Sequence, residues 1–283
     1  MSGIRVKLLS DIHLEHFNKY PGIDYFIPPD SNVDVICLCG DIGCPKDASY
    51  QEFLGDCAKK CNMYTFVLMG NHEAYGSSVA EAAKKIESVC GTINGSLDSQ
   101  KIIFMNNSTF DVQRYRFLGT TLWSDIDPSE AWNIRTCISD YRMIRQWGIG
   151  ESKYAFDKNV SWLRMNLHQA WEDDKKVVVM THHAPLLNLG NPKHAYSSLK
   201  SAFCSDLHDL IKSNNEVISY WFYGHNHYSE TKKIGNTVIM SNQMGYVDED
   251  ESENEFIDTS KYDEPLHEHK ENNFDKNQVI LLQ

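Results

Sequence analysis

The chain has 283 residues and no apolar run near the roughly 18 that suggest a membrane-spanning helix, so a membrane is not expected as a partner. Its first residues, Met1-Ser2-Gly3-Ile4-Arg5, lack a long apolar segment and a small-residue cleavage site, so they do not read as a secretory leader. Eight cysteines are present, but none forms a C-x-x-C pair. Cys37 and Cys39 flank Leu38 in an apolar run, and Cys57 and Cys61 lie one helical turn apart, which fits reduced, buried thiols in a cytoplasmic protein better than a thiolate metal site. Basic charge is scarce too: 27 Lys and Arg stand against 39 Asp and Glu, a net charge of −12. Residues 247–276 alone hold twelve acids against three lysines, so nine of those negative charges sit in one segment and the rest of the chain is near neutral. Such a body has no electrostatic footprint for duplex nucleic acid, which is not expected as a partner. Nothing in the pattern sets an oligomeric state.

With 41% hydrophobic residues the chain is rich enough in apolar side chains to bury a sizeable core. We expect residues 1–283 to form a single domain with an acidic, irregular segment at 247–276. Residues 5–9, 33–39 and 64–69 are short apolar runs that stop at polar or glycine residues, as buried strands do. Between them, 47–61 and 77–90 carry apolar residues at helical spacing. Alternation of this kind predicts parallel βαβ units. Runs at 102–105, 110–112 and 116–122 follow with few helical residues between them, which predicts a meander in a second, mixed sheet. Residues 132–144 are ambiguous. The best helical stripe is Val160, Leu163, Leu167 and Ala170, within 157–170. A strand at 177–180, a helix at 197–211, a strand at 217–223, a hairpin across 234–237 and an edge strand at 277–282 complete the expectation.

Polar residues are placed with a pattern. Asp11, Asp41, Asn71, His182 and His225 each fall at or just past the C-terminal end of an apolar run. In a parallel sheet those ends share one edge, where loops converge and ligands bind. Asp, Asn and His are oxygen and nitrogen ligands, suited to divalent Mn, Fe, Zn, Ni or Co. Counting His13 and His227, seven candidates exceed what one tetrahedral ion takes and suit two. Two ions ~3.5–4 Å apart want a bridging carboxylate, and together they can ionise a shared water and offset charge on phosphate oxygens.

These segments carry a resemblance. Asp11-x-His13, Gly40-Asp41, Gly70-Asn71-His72-Glu73, His182 and Gly224-His225-Asn226-His227 match in order and type the five signature segments of the calcineurin-like metallophosphoesterases. Residues 10–15, 119–125, 181–185 and 241–246 make the chain similar to the bacterial-type predicted phosphohydrolases of that superfamily. The resemblance implies two packed mixed β-sheets flanked by helices, a four-layer α/β/β/α sandwich. It implies one metal on Asp11, His13 and His227, a second on Asn71, His182 and His225, and Asp41 bridging both. His72 would sit beside the substrate, stabilising phosphorane-like charge or protonating the leaving oxygen. The activity implied is hydrolysis of a small phosphodiester or phosphomonoester by in-line attack of a metal-bridging hydroxide.

Departures from the family narrow the choice. Its serine/threonine protein phosphatases follow Gly-Asp with Asp-Arg-Gly and use Arg-Gly-Asn-His-Glu. Here Ile42-Gly43-Cys44 follows Asp41, and Met69 precedes Gly70, so both phosphate-gripping arginines are missing. Where the related family tends to carry Asn-Pro-Arg-Gly-Tyr, this chain has Asn242-Gln243-Met244-Gly245-Tyr246. The alternatives are a non-catalytic metal-containing interaction module on the same fold, which has no need of His72, and a nuclease, which the near-neutral body disfavours. His183 is expected to contact substrate or, the favoured reading, to hydrogen-bond a ligand from behind, Glu15 and Glu73 to act as supporting carboxylates, and His16 to have no special role. Tyr75, Trp123, Asp125, Asn242 and Tyr246 are candidates for the pocket lining.

Overall fold

The computed structural model describes residues 3–97, 99–195, 197–246 and 272–283. Most of the acidic segment 247–276, with the expectation that it is irregular, lies outside the described residues.

The first half builds β1 (Ile4–Leu9), β2 (Val35–Leu38), α1 (Ala48–Lys60), β3 (Tyr64–Val67), α2 (Val79–Leu97) and β4 (Ile102–Phe104). The second builds β5 (Ser108–Val112), β6 (Tyr115–Thr120), α3 (Ala131–Cys137), α4 (Asp140–Met143), α5 (Ile149–Glu172), β7 (Lys176–Thr181), α6 (His208–Ser213), β8 (Ile218–Tyr223), β9 (Thr231–Ile234), β10 (Thr237–Ser241) and β11 (Ile280–Leu282).

Two sheets result, ordered β11-β1-β2-β3-β4 and β5-β6-β7-β8-β10-β9. Strands β1 to β4 pair in parallel, and β11 returns antiparallel to β1. In the second sheet β6, β7, β8 and β10 are parallel, while β5 and β9 close its two edges antiparallel. Central strands covered on both faces must be apolar throughout, and β2 is buried at all four positions.

Alternation of side chains along each strand divides the core into three layers. Leu9, Ile36, Leu38 and Val67 face α1 and α2, joined by Phe53, Leu54, Ile86 and Val89. Val6, Leu8, Val35, Cys37 and Phe66 face the other sheet and meet Phe117, Val178, Met180 and Phe222. Leu118, Val177, Val179, Trp221 and Ile239 face the far side with Leu163, Leu167 and Ile211. Helix, sheet, sheet, helix is the four-layer arrangement expected of the chain.

Three local expectations are corrected. The run at 102–105 does not enter a meander: β4 extends the first sheet in parallel register with β3, and only β5 and β6 form the antiparallel pair. Residues 197–211 are not one helix. Backbone bonds from Ala184 to Phe203, from Ser205 to Ala184 and from Leu207 to Pro185 hold that stretch alongside 184–185, and helix begins only at His208. Its apolar spacing serves two different packing surfaces, with Ala202 in one cluster and Leu207, Leu210 and Ile211 in another. Helix α5 starts eight residues before the apolar stripe suggested, because its first turns are mostly polar and carry little periodic signal.

Candidate metal centre

The carboxyl ends of β1, β2, β3, β7 and β8 deliver Asp11 and His13, Asp41, Asn71, His182, and His225 and His227 to one edge. The two sheets touch there. Ser10 bridges to Gln243, Met244 N donates to Ser10 O, and Gly245 N donates to Asp11 O. Sharp turns at the strand ends bring the side chains round. Asp11, His13, Asp41, His225 and His227 have φ of 53°, 51°, 52°, 79° and 48°. A left-handed backbone costs a non-glycine residue ~1 kcal/mol or more, and such strain gathers at functional sites. The glycines of the motifs are set by close approach. A Cβ on Gly70 would collide with the Asp41 carboxylate and stand 2.8 Å from His182 Cε1, while one on Gly224 would stand 2.6 Å from Asp11 Oδ2.

The donors form two groups. Asp11, His13 and His227 make one, and Asp41, His182 and His225 the other, with ligand atoms in each lying within 4.8 Å of one another. In the first, His13 Nε2 is 3.0 Å from His227 Nε2, and His227 Nε2 is 3.5 Å from Asp11 Oδ1. In the second, His182 Nε2 is 3.3 Å from Asp41 Oδ2 and 2.9 Å from Asn71 Oδ1. Asp41 Oδ2 is also 4.0 Å from His13 Nε2, so one oxygen faces both groups. Two atoms each ~2.1 Å from one ion and ~90–110° apart stand ~3.0–3.4 Å from each other. The separations observed fit a divalent cation in each group, and nitrogen and oxygen donors without thiolate suit Mn, Fe, Zn, Ni or Co.

Electrostatics point the same way. Burial would push the Asp41 carboxyl up, but His182, His72 and His13 outweigh it and hold Asp41 well below the usual range. His182 is raised to about 9 and His72 to about 10, because Asp41 overcomes the burial that opposes their charge. Burial and neighbouring histidines hold His225 and His227 well below their ordinary value, leaving them neutral as metal ligation requires. Asp41 is thus a buried carboxylate that favours positive charge beside it.

Supporting groups surround the donors. Glu73 accepts from Asp41 N, Ile42 N and Gly70 N at 3.0, 2.8 and 2.7 Å, tying the Gly40-Asp41 turn to the Gly70-Asn71 turn. His182 Nδ1 donates to Cys39 O at 2.8 Å, which turns its Nε2 toward Asp41. Asp140 accepts from Asn71 Nδ2 and from Tyr75 OH, both at 2.8 Å, so the Asn71 Oδ1 faces His182. Asp140 escaped the sequence reading because it lies in the ambiguous 132–144 stretch, at the start of a helix of four residues.

Other candidates fall in and out of the site. His72 packs at a tilt on Tyr75 with ring centroids 4.3 Å apart, and its Nε2 is 3.4 Å from Tyr246 OH. His183 packs on His225 with centroids 4.0 Å apart, and its buried Nδ1 has no hydrogen-bond partner. His16, expected to be unremarkable, is buried beside His13 and Tyr246. Trp123 packs between Trp147 and His183. Asn242 bonds to Leu8 O and Asp275 O, and Asp125 turns outward to Lys153.

The family model described as calcineurin-like phosphoesterase matches residues 4–229, and the chain belongs to that family. It is a metallophosphoesterase, of a class that hydrolyses phosphoesters with the help of metal. An uncharacterised protein, L509, of Acanthamoeba polyphaga mimivirus is 29% identical over 269 residues, covering 86% of this chain and 92% of that one. Among solved structures, the phosphopantetheinyl hydrolase of Mycobacterium tuberculosis superposes with a TM-score of 0.63 at 14% identity, over 87% of this chain and 90% of that one. A dimetal phosphatase of Danio rerio gives 0.51 at 13% identity, over 85% and 87%. At such identities these structures are similar in fold.

Proposed function

We propose that the chain is a dinuclear metal-dependent phosphodiesterase acting on a small phosphate ester in the cytoplasm. One observation carries this: the Oδ2 of Asp41 faces both donor groups, 3.3 Å from His182 and 4.0 Å from His13. Asp11, His13 and His227 would hold one ion, Asn71, His182 and His225 the other, and Asp41 would bridge them. Two cations held there would supply Lewis acidity, acidifying water and offsetting charge on phosphate oxygens.

The chain's own residues do the rest. Asp11 and Asp41 fix the charge of the site, and Asn71 is aimed by Asp140. His72, tilted against Tyr75 with its Nε2 3.4 Å from Tyr246 OH, would donate a proton to the leaving oxygen. Preference for a diester is supported by charge. Among the described residues, every ion pair made by Asp11, Asp41 and Glu15 has histidine as its cationic partner. No guanidinium is paired there to grip a dianionic monoester, and a singly charged diester asks for less. All eight cysteines are unpaired and six are buried, which supports a reducing compartment.

The test is hydrolysis of an aryl phosphodiester and an aryl phosphomonoester with added Mn or Ni. We expect the diester to be the better substrate. His72→Ala should lower kcat by ~10²–10⁴ with metal content intact, and Asp41→Asn should lose both activity and metal. Equal activity in all three proteins would reject the proposal, and a metal-loaded wild type inert to every ester would favour an interaction module.

A further inference from the structure

One oxygen of Glu15 gathers two imidazoles. Its Oε1 lies 3.0 Å from His13 Nδ1 and 3.1 Å from His72 Nδ1. An ionised carboxylate only accepts hydrogen bonds, so each Nδ1 must carry the proton and donate it. That leaves Nε2 of each ring as the nitrogen facing the site. His13 Nε2 points to His227 Nε2 at 3.0 Å, and His72 Nε2 stands 3.4 Å from Tyr246 OH.

The fold makes room for this contact. The left-handed turn at His13, with φ 51°, leads into the 3-10 turn Leu14–His16, which brings Glu15 back beside the His13 ring. A Cβ on Gly43 would lie 2.9 Å from Leu14 Cβ and 3.5 Å from Glu15 Oε2, so the residue just past the Asp41 turn leaves this carboxylate its space. Glu15 Oε2 is buried without a hydrogen-bond partner. A glutamate with only a capping or solvating role would turn that oxygen to water, since leaving it unpaired costs ~1–3 kcal/mol. The conformation is kept for the two N–H groups at Oε1.

We propose that Glu15 is a positioning residue that accepts the Nδ1–H of both His13 and His72, so that one carboxylate orients a metal ligand and the proton-donating imidazole together. The proposal rests on the roles given to His13 and His72 above. The four side chains His13, Glu15, His16 and His72 also lie close enough to ligate a cation themselves, within 4.8 Å. That occupancy would take protons off both nitrogens of His13, and it is an outcome the experiment separates.

The experiment uses the zinc-loaded full chain labelled with ¹⁵N-histidine. Two-bond ¹H–¹⁵N spectra should show His13 and His72 protonated at Nδ1 in the wild type, and Glu15→Ala should lose that signature at both. The same variant should bind zinc ~10–100-fold more weakly in chelator competition and lower kcat with little change in KM. In a His72→Ala background, Glu15→Ala should still weaken zinc binding yet add less than about threefold to the loss in kcat. A His72 without a proton on Nδ1 in the wild type, an unchanged Nδ1 signature in Glu15→Ala, or a third zinc per chain would overturn the proposal. A wild type with both Nδ1 protons and no activity on any phosphate ester would leave the Glu15 assignment standing and remove the phosphodiesterase reading instead.

Discussion

Asp41 has three histidines around it and two backbone turns beneath it, and its neighbours decide what it can do. Asn71 reaches His182 only because Asp140 takes the other end of its amide, and Asp41 itself stays in place because Glu73 accepts from its N–H. Glu73 is 2% exposed, so its truncation would leave three buried N–H donors without acceptors. Each such loss costs ~1–3 kcal/mol. Glu73→Ala should therefore destabilise the protein by ~3 kcal/mol or more in urea unfolding, whereas Glu73→Gln, which keeps one strong acceptor, should cost about half as much. At this scale the sequence was legible where chemistry comes in short motifs: Asp11, His13, Asp41, Asn71, His182, His225 and His227 were all expected at one edge. Asp140 and His16 were not. Their places depend on a short helix and a 3-10 turn whose positions are set by tertiary contacts.

Elements were legible where one packing surface dictates a single period. The buried strands and the stripe on α5 are of this kind. The 197–211 stretch departs from the single helix its spacing predicts because its apolar residues serve two surfaces while its backbone pairs with 184–185. The 102–105 run was read as a strand, but its partner was not, since sheet membership is a long-range fact. Within the first sheet, Arg5 clasps Asp34 at the start of β2 through Nε and Nη2 at 2.9 and 2.8 Å, and Asn62 adds a bond of 3.0 Å. The Arg5 hydrogen bonds hold the Asp34 carboxyl well below the usual range. A carboxyl depressed in the folded state stabilises above its unfolded pKa, ~3.9, and that contribution fades as pH falls from there through the folded value. Asp34→Asn should cost ~1 kcal/mol near pH 7 and progressively less below pH ~4, read from urea unfolding across pH. A cost that stays constant with pH would contradict the ion pair's contribution.

Across the whole molecule the proposed ligands come from both sheets. Asp11, His13, Asp41 and Asn71 follow strands of the first, and His182, His225 and His227 follow strands of the second. Cations at this edge would therefore staple the sheets together as well as serve chemistry. Ligands that bind only the folded state stabilise it, by ~2.7 kcal/mol at a concentration 100 times Kd for one site. For a chain of this size that is ~5–10 °C in Tm per site. Removing metal with a chelator should lower Tm by that order and restore it on adding Mn, while Asp41→Asn should show a much smaller shift. The four-layer fold was legible from alternating strands and helices together with the family resemblance.

Anomalous diffraction from crystals of the manganese-loaded protein tests the paired-cation centre most directly. Two peaks are predicted, ~3.5–4 Å apart, one among Asp11, His13 and His227 and the other among Asn71, His182 and His225, with Asp41 between them. A single peak, or manganese bound away from Asp41, would contradict the account.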